Sequence, residues 1–196
     1  NFEPSFVAQK FVLTSDDKLF LAGREISNSD GVHRTETTLF QLAIDSKSAG
    51  IWINGRQYTQ PVFSTKLGSG DWLIDDKNVG YFLLDVSEVI VNRGLQTSRH
   101  NKTKQQTSGN FSSAWIDHGV APDKEKYQYV ILMNTNPEKM AAFAQQMKRE
   151  QQFTLAESSD NGVTLYDSSN KLYGYSSFSA NNYNQGPVKS VNSTSL

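Results

Sequence analysis

The sequence predicts a mainly β fold, an antiparallel sandwich with one short α-helix. About a dozen short segments rich in Val, Ile, Phe, Tyr and Thr alternate apolar and polar residues with a period of two, as half-buried strands do. Two Asn-Gly pairs, at Asn54 and Asn161, mark tight turns because both residue types accept a positive φ. Short strands joined by such turns favour antiparallel sheets over parallel βαβ units.

The strand-like segments follow one another closely along the chain. The first two, Phe6–Thr14 and Leu19–Ile26, form a predicted hairpin around the polar turn Ser15-Asp-Asp-Lys18. A second hairpin is predicted where Asp71–Asp75 and Val79–Asp85 flank another polar turn. The other predicted strands are, in chain order, Thr37–Ile44, Ile51–Ile53, Val86–Val91, Ala114–Asp117, Tyr127–Met133, Phe153–Glu157, Val163–Tyr166 and Leu172–Phe178.

One helix is predicted to interrupt the strands. Asn136 is a favourable N-cap, and Pro137 suits the first helical position because its missing N–H would have no partner there. The apolar residues that follow have the i, i+3, i+4, i+7 spacing of one helix face and are Met140, Phe143, Ala144 and Met147. This stripe favours a helix that packs on a sheet over a helix that binds a partner.

Two polar stretches are predicted to be loops. The first extends from Asn92 to Asn110, and its basic residues are expected to be solvated: Arg93, Arg99, Lys102 and Lys104. The second follows Ala180, is rich in Asn, Ser and Gly, and is predicted to be poorly ordered. The chain is therefore divided into a β-sandwich domain, residues 1–180, and a terminal segment, residues 181–196.

Charge and composition exclude several classes of protein. The 196 residues include 19 Lys and Arg against 20 Asp and Glu, so no global positive field attracts nucleic acid. The sequence contains no Cys, which excludes disulfides, thiolate metal sites and a thiol nucleophile. No apolar run reaches the roughly 20 residues of a transmembrane helix, and no signal peptide opens the sequence. We expect the start at Asn1 to be a cut within a longer protein.

The sequence predicts no cofactor. The three histidines, His33, His100 and His118, lack the spacing of metal ligands, and neither a Gly-rich phosphate loop nor a Gly-x-Ser-x-Gly elbow is present. The carboxylate pairs Asp16-Asp17 and Asp75-Asp76 are interpreted as turn formers rather than calcium ligands. No motif in the sequence supports a requirement for a divalent cation, and no motif excludes one.

Several longer segments together resemble one family of enzymes. They are Glu36-Thr-Thr-Leu-Phe-Gln41, Ile51-Trp-Ile-Asn-Gly55, Gly70-Asp-Trp-Leu-Ile-Asp75 and Gly109-Asn-Phe-Ser-Ser-Ala-Trp-Ile-Asp-His-Gly119. These segments resemble the central β-domain of the polysaccharide lyases that cleave chondroitin sulfate and hyaluronan, and most of all the chondroitin ABC lyases. The likeness extends from Phe6 to Phe178 and implies an antiparallel β-supersandwich with one short α-helix.

The resemblance implies a fragment of a secreted or periplasmic bacterial glycosaminoglycan lyase. Its implied substrate is chondroitin or dermatan sulfate, with hyaluronan as a further candidate, cleaved by β-elimination at a uronic acid. Its implied partners are the sulfated glycosaminoglycan and two absent domains, an N-terminal helical toroid and a C-terminal β-domain that residues 181–196 link to or begin. Neither nucleic acid nor a membrane is an expected partner, and the isolated chain is expected to be inactive.

Glu36 is the predicted catalytic residue. The resemblance implies that it reaches into the cleft and forms a tetrad with a Tyr, a His and an Arg of the helical toroid. Its implied role is to position that Arg or His, and an ion pair with Arg would keep it ionised. Arg34 and His33 flank it and are predicted to bind sulfate or carboxylate groups of the substrate. On spacing alone, Glu36 would be a solvated residue in a weak surface ion pair.

Other residues have plainer interpretations. His118 is expected to hydrogen-bond loop backbone rather than sugar, with Gly119 supplying the turn. Trp52, Trp72 and Trp115 lie in alternating strands and are predicted to be core residues rather than sugar platforms.

Two other functions are considered beside the glycosaminoglycan lyase. One is a non-catalytic carbohydrate-binding or scaffolding sandwich, and the other is a lyase with another uronic-acid substrate.

Overall fold

The structure, a computed structural model, describes residues 5–45 and 48–192. Its strands are β1 (Val7–Ser15), β2 (Lys18–Ser27), β3 (Arg34–Ala43), β4 (Ile51–Ile53), β5 (Arg56–Tyr58), β6 (Phe63–Leu67), β7 (Trp72–Ile74), β8 (Gly80–Asp85), β9 (Val89–Arg99), β10 (Gln106–Val120), β11 (Glu125–Leu132), β12 (Phe153–Ser159), β13 (Gly162–Asp167), β14 (Leu172–Ser177), β15 (Asn181–Asn182) and β16 (Ser190–Val191). The helix α1 is Pro137–Glu150. No helix within the described residues is long and apolar enough to span a membrane.

The strands stack in three layers. The middle layer is a seven-stranded antiparallel sheet in the order β1-β2-β11-β8-β7-β4-β5. A four-stranded antiparallel sheet, β3-β10-β9-β6, packs on one of its faces. A three-stranded sheet, β12-β13-β14, packs with α1 on the other face. The predicted fold class, a mainly β antiparallel supersandwich with one short α-helix, is confirmed.

The middle sheet is buried on both faces and lies between two hydrophobic cores. Because successive side chains on a strand point to opposite faces, Phe20 and Phe82 enter the core under α1, whereas Leu21 and Leu83 enter the core under the four-stranded sheet. All four side chains are at most 8% exposed. The four-stranded sheet thus has one face in a core and one outer face, and the outer face carries the candidate site.

The helix forms as its sequence predicts. Asn136 has an extended backbone, and its side chain accepts a hydrogen bond of 2.9 Å from the backbone N–H of Lys139, which caps the first turn. The helix ends at Glu150 and is capped by Gln151, whose φ of 45° lies in the left-handed region. The predicted apolar stripe is the buried one and consists of Met140, Phe143, Ala144 and Met147. This stripe fills the core beneath the middle sheet, as expected for a packing helix.

The predicted hairpins are also present. Ser15 pairs with Lys18 across the first turn, and Ile53 pairs with Arg56 across Asn54-Gly55. Asn54 and Gly55 have φ values of 48° and 86°, which a type I′ hairpin turn requires at both central positions. Strand β7 pairs with β8 as predicted. The turn between β12 and β13 lies one residue earlier than predicted: its residues are Asp160 and Asn161, because Ser159 pairs with Gly162 at the start of β13. Neither Asn161 nor Gly162 has the positive φ that the Asn-Gly pair suggested.

The loop predicted for residues 92–110 is wrong. Strands β9 and β10 pair continuously from Arg99 opposite Gln106 to Val89 opposite Ile116, and residues 100–105 alone connect them. The distal half of this ribbon is exposed on both faces, so it carries polar residues and lacks the apolar alternation that marks a half-buried strand. Backbone pairing with a neighbouring strand supports it instead.

Arg93 is buried rather than solvated, which corrects its assignment to a basic loop. Its side chain is 2% exposed and forms an ion pair of 3.1 Å with Asp76, whose side chain is 3% exposed. Arg93 Nε donates to the carbonyl of Gln60, and Asp76 accepts from Ser48 Oγ and from the backbone N–H of Gly50. The pair therefore fastens three loops to the four-stranded sheet.

The terminal segment is folded over much of its length. The sequence predicts poor order after Ala180, whereas β15 and β16 form a short antiparallel pair. Tyr183 is 3% exposed, and its hydroxyl donates to the carbonyl of Ser176 in β14 over 2.8 Å. The hydroxyl of Tyr175 likewise donates to the carbonyl of Gln185. Residues 193–196 lie outside the described part of the chain, and the domain boundary at residue 180 stays a prediction.

Candidate active site

The candidate site lies on the outer face of the four-stranded sheet, where β3 and β10 run side by side. Glu36 in β3 is the register partner of Asp117 in β10, so the two side chains are direct cross-strand neighbours. Beyond this pair the register shifts before Arg34 pairs with Val120, and Gly119 adopts a φ of 83° within the irregularity. Such a bulge redirects nearby side chains, and here Arg34 contacts Asp117.

Arg34 and Asp117 form a forked ion pair. Arg34 Nε lies 2.9 Å from Oδ1 and 2.8 Å from Oδ2 of Asp117, and Arg34 Nη2 lies 2.6 Å from Oδ2. The Asp117 side chain is 4% exposed, and Oδ1 also accepts from the backbone N–H of Gly119. Burial, the largest influence, raises the pKa of Asp117, but the hydrogen bonds from Arg34 and Gly119 outweigh it and hold that pKa below its usual value.

Glu36 is exposed and forms no ion pair with any described residue. Partial desolvation raises the pKa of its carboxyl group, and the negative charge of Asp117 raises it further. Arg34 and the indole of Trp115 offset part of this shift. The Trp115 N–H is buried beside the carboxylate but outside hydrogen-bonding geometry. Glu36 is therefore a partly desolvated carboxylate beside Asp117, and an added cation would stabilise its charged form.

Two recesses meet at Glu36. One has a volume of about 240 Å³ on the outer face of the sheet and is lined by Glu36, Thr38, Gln41, Gln96, Ser113 and Trp115. The other has a volume of about 460 Å³ between the edges of two sheets, and its lining includes Lys10, Ile26, Thr35, Glu36, Thr37 and Tyr127. The carboxylate of Glu36 is thus accessible from two sides.

His33 lies at the tip of the loop before β3 and is oriented by Asp30. Its side chain is 72% exposed, and Nδ1 lies 2.8 Å from Asp30 Oδ2. Asp30 Oδ1 also accepts from the backbone N–H groups of Val32 and His33, and these hydrogen bonds lower the pKa of Asp30. The structure thus holds His33 directly before Arg34 at the same end of β3, where both reach solvent.

A buried polar cluster lies on the inner side of β3, behind Glu36. His118 Nε2 is 2.9 Å from Thr37 Oγ1, and the ring of Tyr127 lies 5.9 Å from the His118 ring. His118 is 6% exposed, so its ring contacts a threonine side chain and not the loop backbone that the sequence suggested. His118 Nδ1 and the Tyr127 hydroxyl have no hydrogen-bond partner among the described residues. Burial raises the pKa of Tyr127 to about 12.

The burial of His118 makes the stability of the protein depend on pH. Burial lowers its pKa from the ordinary 6.5, and the charges of Glu125 and Asp117 oppose this in part. Because the unfolded chain takes up a proton first, stability should fall as the pH drops below 6.5 and towards the folded-state pKa.

Urea unfolding at pH 7.5 and pH 5.5 tests this expectation in the wild type and in His118→Asn. The variant should lose less stability between the two pH values, whatever its stability at pH 7.5. His100→Asn is the matched control because its side chain is exposed. An equal acid-induced loss in wild type and His118→Asn would contradict the assignment.

Trp115 is a site residue that the sequence placed in the core. Its neighbours Ala114 and Ile116 are fully buried beneath the sheet, so Trp115 points to the outer face, next to Glu36. Trp72, by contrast, is 6% exposed and belongs to a core, and Trp52 packs against the same core. Apolar neighbours do not separate Trp115 from Trp52, which lies between the buried Ile51 and Ile53 in the same way. The difference lies in the layers: the sheet of Trp52 is covered on that face, whereas the sheet of Trp115 is not.

The remaining basic residues of the 92–110 stretch lie far along the exposed ribbon. Arg99, Lys102 and Lys104 are exposed at its tip, as expected for solvated charges, and Arg93 is not among them. Among the described residues, no group of three or more His, Asp or Glu side chains is placed to hold a metal ion. The candidate site brings together the accessible carboxylate of Glu36, the guanidinium that Asp117 holds and the indole of Trp115.

The three-layer fold is shared with solved polysaccharide lyases. Residues 4–144 match the description "Polysaccharide lyase family 8, super-sandwich domain", and the chain belongs to this family. The chain is 36% identical over 196 residues to the chondroitin sulfate ABC endolyase of Proteus vulgaris, covering 100% of this chain and 19% of that protein. The family resemblance is confirmed.

A second relative supports the family, and two solved structures share the fold. The chondroitin sulfate ABC exolyase of Proteus vulgaris is 30% identical over 178 residues, covering 91% of this chain and 17% of that protein. Among solved structures, a chondroitinase AC lyase aligns with a TM-score of 0.74 at 18% identity, over 92% of this chain and 26% of that one. A xanthan lyase of Paenibacillus also gives 0.74, at 21% identity, over 91% of this chain and 18% of that one. The chain thus spans about a fifth of the relatives' length.

Proposed function

We propose that this chain forms one wall of the catalytic cleft of a lyase that cleaves chondroitin and dermatan sulfate, with hyaluronan as a further substrate. The observation that carries the proposal is Glu36: an accessible carboxylate, next to Asp117, without a cationic partner among the described residues. The relatives named for chondroitin sulfate lyases support the choice of substrate. Export from the cell to meet such a polymer is part of the same proposal.

The proposed reaction is a β-elimination at a uronic acid. A base removes the proton from C5, the C4–O bond breaks, and the electron pair of the C5–H bond becomes a C4–C5 double bond. The leaving oxygen takes up a proton, and the uronate carboxylate must be held so that its charge does not oppose proton removal. One carboxylate cannot supply all of these groups.

Glu36 acts in this reaction by holding a cation. The negative field of Asp117 and the accessible position of Glu36 suit it to fix the Arg or His that we propose a helical toroid domain supplies. That cation would neutralise the substrate carboxylate, while the Tyr of the same domain would transfer the proton. Arg34 and His33 reach solvent at the same end of β3 and are proposed to contact sulfate or carboxylate groups.

The unsaturated product gives a direct test because its conjugated double bond absorbs ultraviolet light. The isolated chain and the intact lyase that contains it are incubated with chondroitin sulfate, dermatan sulfate, hyaluronan and xanthan. We expect product only from the intact lyase, and only with the first three polymers. Product formation by the isolated chain would refute the proposal that another domain supplies the remaining catalytic groups. Preferred cleavage of xanthan would refute the proposed substrate class.

The alternative, a non-catalytic carbohydrate-binding module, is favoured by the polar surface beside Glu36. Gln41 donates to Gln96 over 2.6 Å and Gln96 donates to Ser113 over 3.1 Å, so fixed amides line a recess with Trp115 at one end. Amides and an aromatic face suit the hydroxyls and apolar faces of sugars. Micromolar or tighter binding of chondroitin sulfate by the isolated chain, lost in Gln96→Ala but kept in Glu36→Ala, would favour this alternative.

A further inference from the structure

We propose that Asp117 is a positioning residue that captures Arg34 and so keeps Glu36 unpaired until a cation from another domain reaches it. This inference rests on the proposed function of Glu36. It assigns a task to the Asp of the Asp117-His118-Gly119 segment, whose His and Gly lie in the buried cluster and in the bulge.

The first step is the competition between two carboxylates for one guanidinium. Arg34 and Glu36 are two positions apart on the same side of β3, a separation of roughly 7 Å along a strand that an Arg side chain can span. Glu36 and Asp117 are direct cross-strand partners, so both carboxylates are within reach of Arg34. In the structure Arg34 pairs with Asp117 and not with Glu36, because its guanidinium contacts Asp117 through Nε and Nη2.

The second step explains why Arg34 pairs with Asp117 rather than with Glu36. Its side chain is 4% exposed, and its Oδ1 is fixed by the backbone N–H of Gly119 over 2.9 Å. Its own backbone is held by the segment that enters β9, since its N–H donates to the carbonyl of Glu88 and its carbonyl accepts from Ser87 Oγ. A rigid carboxylate with little access to water binds a planar guanidinium better than an exposed, mobile one. The bulge at Gly119 supplies this rigidity.

The third step is the electrostatic state in which Glu36 is left. The charged and titratable groups around it are Asp117 on β10 and Arg34 on its own strand, together with Lys10 on β1 and Tyr127 on β11, which line the recess between the two sheets. Tyr127 stays neutral, because burial raises its pKa to about 12. Arg34 is already engaged, and Lys10 forms no ion pair with the described residues. The capture therefore creates a site that favours an incoming guanidinium or imidazolium at Glu36.

The capture is tested in the isolated chain by carbon-detected NMR titration of the Glu36 carboxyl group. Asp117→Asn should lower the pKa of Glu36, because it removes a neighbouring negative charge and releases Arg34 to pair with Glu36. In an Arg34→Gln background the same substitution should lower the pKa of Glu36 less, since it then only removes the negative charge of Asp117 and releases no arginine. Glu88→Gln is the matched control and should leave the pKa unchanged. An equal effect of Asp117→Asn in both backgrounds would overturn the capture.

The consequence for the reaction is tested in the intact lyase. Asp117→Asn should reduce kcat/KM about tenfold and move the acid limb of its pH profile to lower pH, while Asp117→Glu should recover most of the rate. Wild-type kinetics of Asp117→Asn together with an inactive Glu36→Gln would overturn this inference and leave the proposed function standing. An active Glu36→Gln would instead overturn the proposed function, and the NMR titration would still decide whether Arg34 is captured.

Discussion

Replacing Glu36 by glutamine is expected to lower kcat/KM of the intact lyase on chondroitin sulfate on the order of 100-fold or more. Glutamine has nearly the same shape but carries no charge, so it cannot hold the cation that we propose offsets the uronate carboxylate. The fold should not suffer, because Glu36 is exposed and forms no ion pair with the described residues. Ultraviolet absorbance of the unsaturated product measures the rate.

The matched control for this prediction is Glu88→Gln. Glu88 is a carboxylate near the same end of the sheet, and it pairs with the exposed Lys66 rather than facing the recess at Glu36. Its replacement should leave the rate within about twofold of wild type, as expected for an exposed pair of small energy. A Glu36→Gln enzyme as active as the Glu88→Gln enzyme would refute the catalytic assignment.

The largest expected loss of stability follows from breaking the buried pair between Arg93 and Asp76. Arg93→Met should lower the free energy of unfolding by about 3–5 kcal/mol, because it leaves the carboxylate of Asp76 buried without its partner. Asp76 lies at the junction of three loops, so its unpaired charge would also loosen the contacts of Ser48 and Gly50. Urea unfolding followed by tryptophan fluorescence provides the measurement.

Two comparisons separate the buried charge from other effects of that substitution. Arg93→Met combined with Asp76→Leu should recover much of the loss, since removing both charges leaves neither unpaired. Lys66→Met breaks an exposed pair with Glu88 and should cost less than about 1 kcal/mol. If Arg93→Met cost no more than Lys66→Met, the pair would have no structural importance.

The sequence predicts the local elements well because their signals are local. The Asn54-Gly55 turn, the cap at Asn136 and the apolar stripe of α1 each depend on residues within a few positions of one another. The family motifs imply the antiparallel β-supersandwich and single out Glu36 as the candidate catalytic residue. These predictions required no knowledge of which strands pair.

The features that the sequence does not predict depend on partners distant in the chain. Asp117 faces Glu36 only because β10 pairs with β3 in one register, and that register contains a bulge. Arg93 is buried because Asp76, 17 positions away, supplies the opposite charge. Periodicity cannot distinguish a buried, paired arginine from a solvated one. Trp52 and Trp115 both lie between apolar neighbours, so the outward position of Trp115 beside Glu36 depends on which sheet face is covered.

The double burial of the middle sheet couples the two cores to a single choice of strand register. A slip of β8 by one residue would send Phe82 towards the four-stranded sheet and Leu83 towards the helix, which exchanges residues of different volume in both cores at once. Neither core can relax into an alternative packing while the other stays native. A wrong strand register therefore destabilises both cores. For this reason the two outer layers should gain their native structure in one cooperative step.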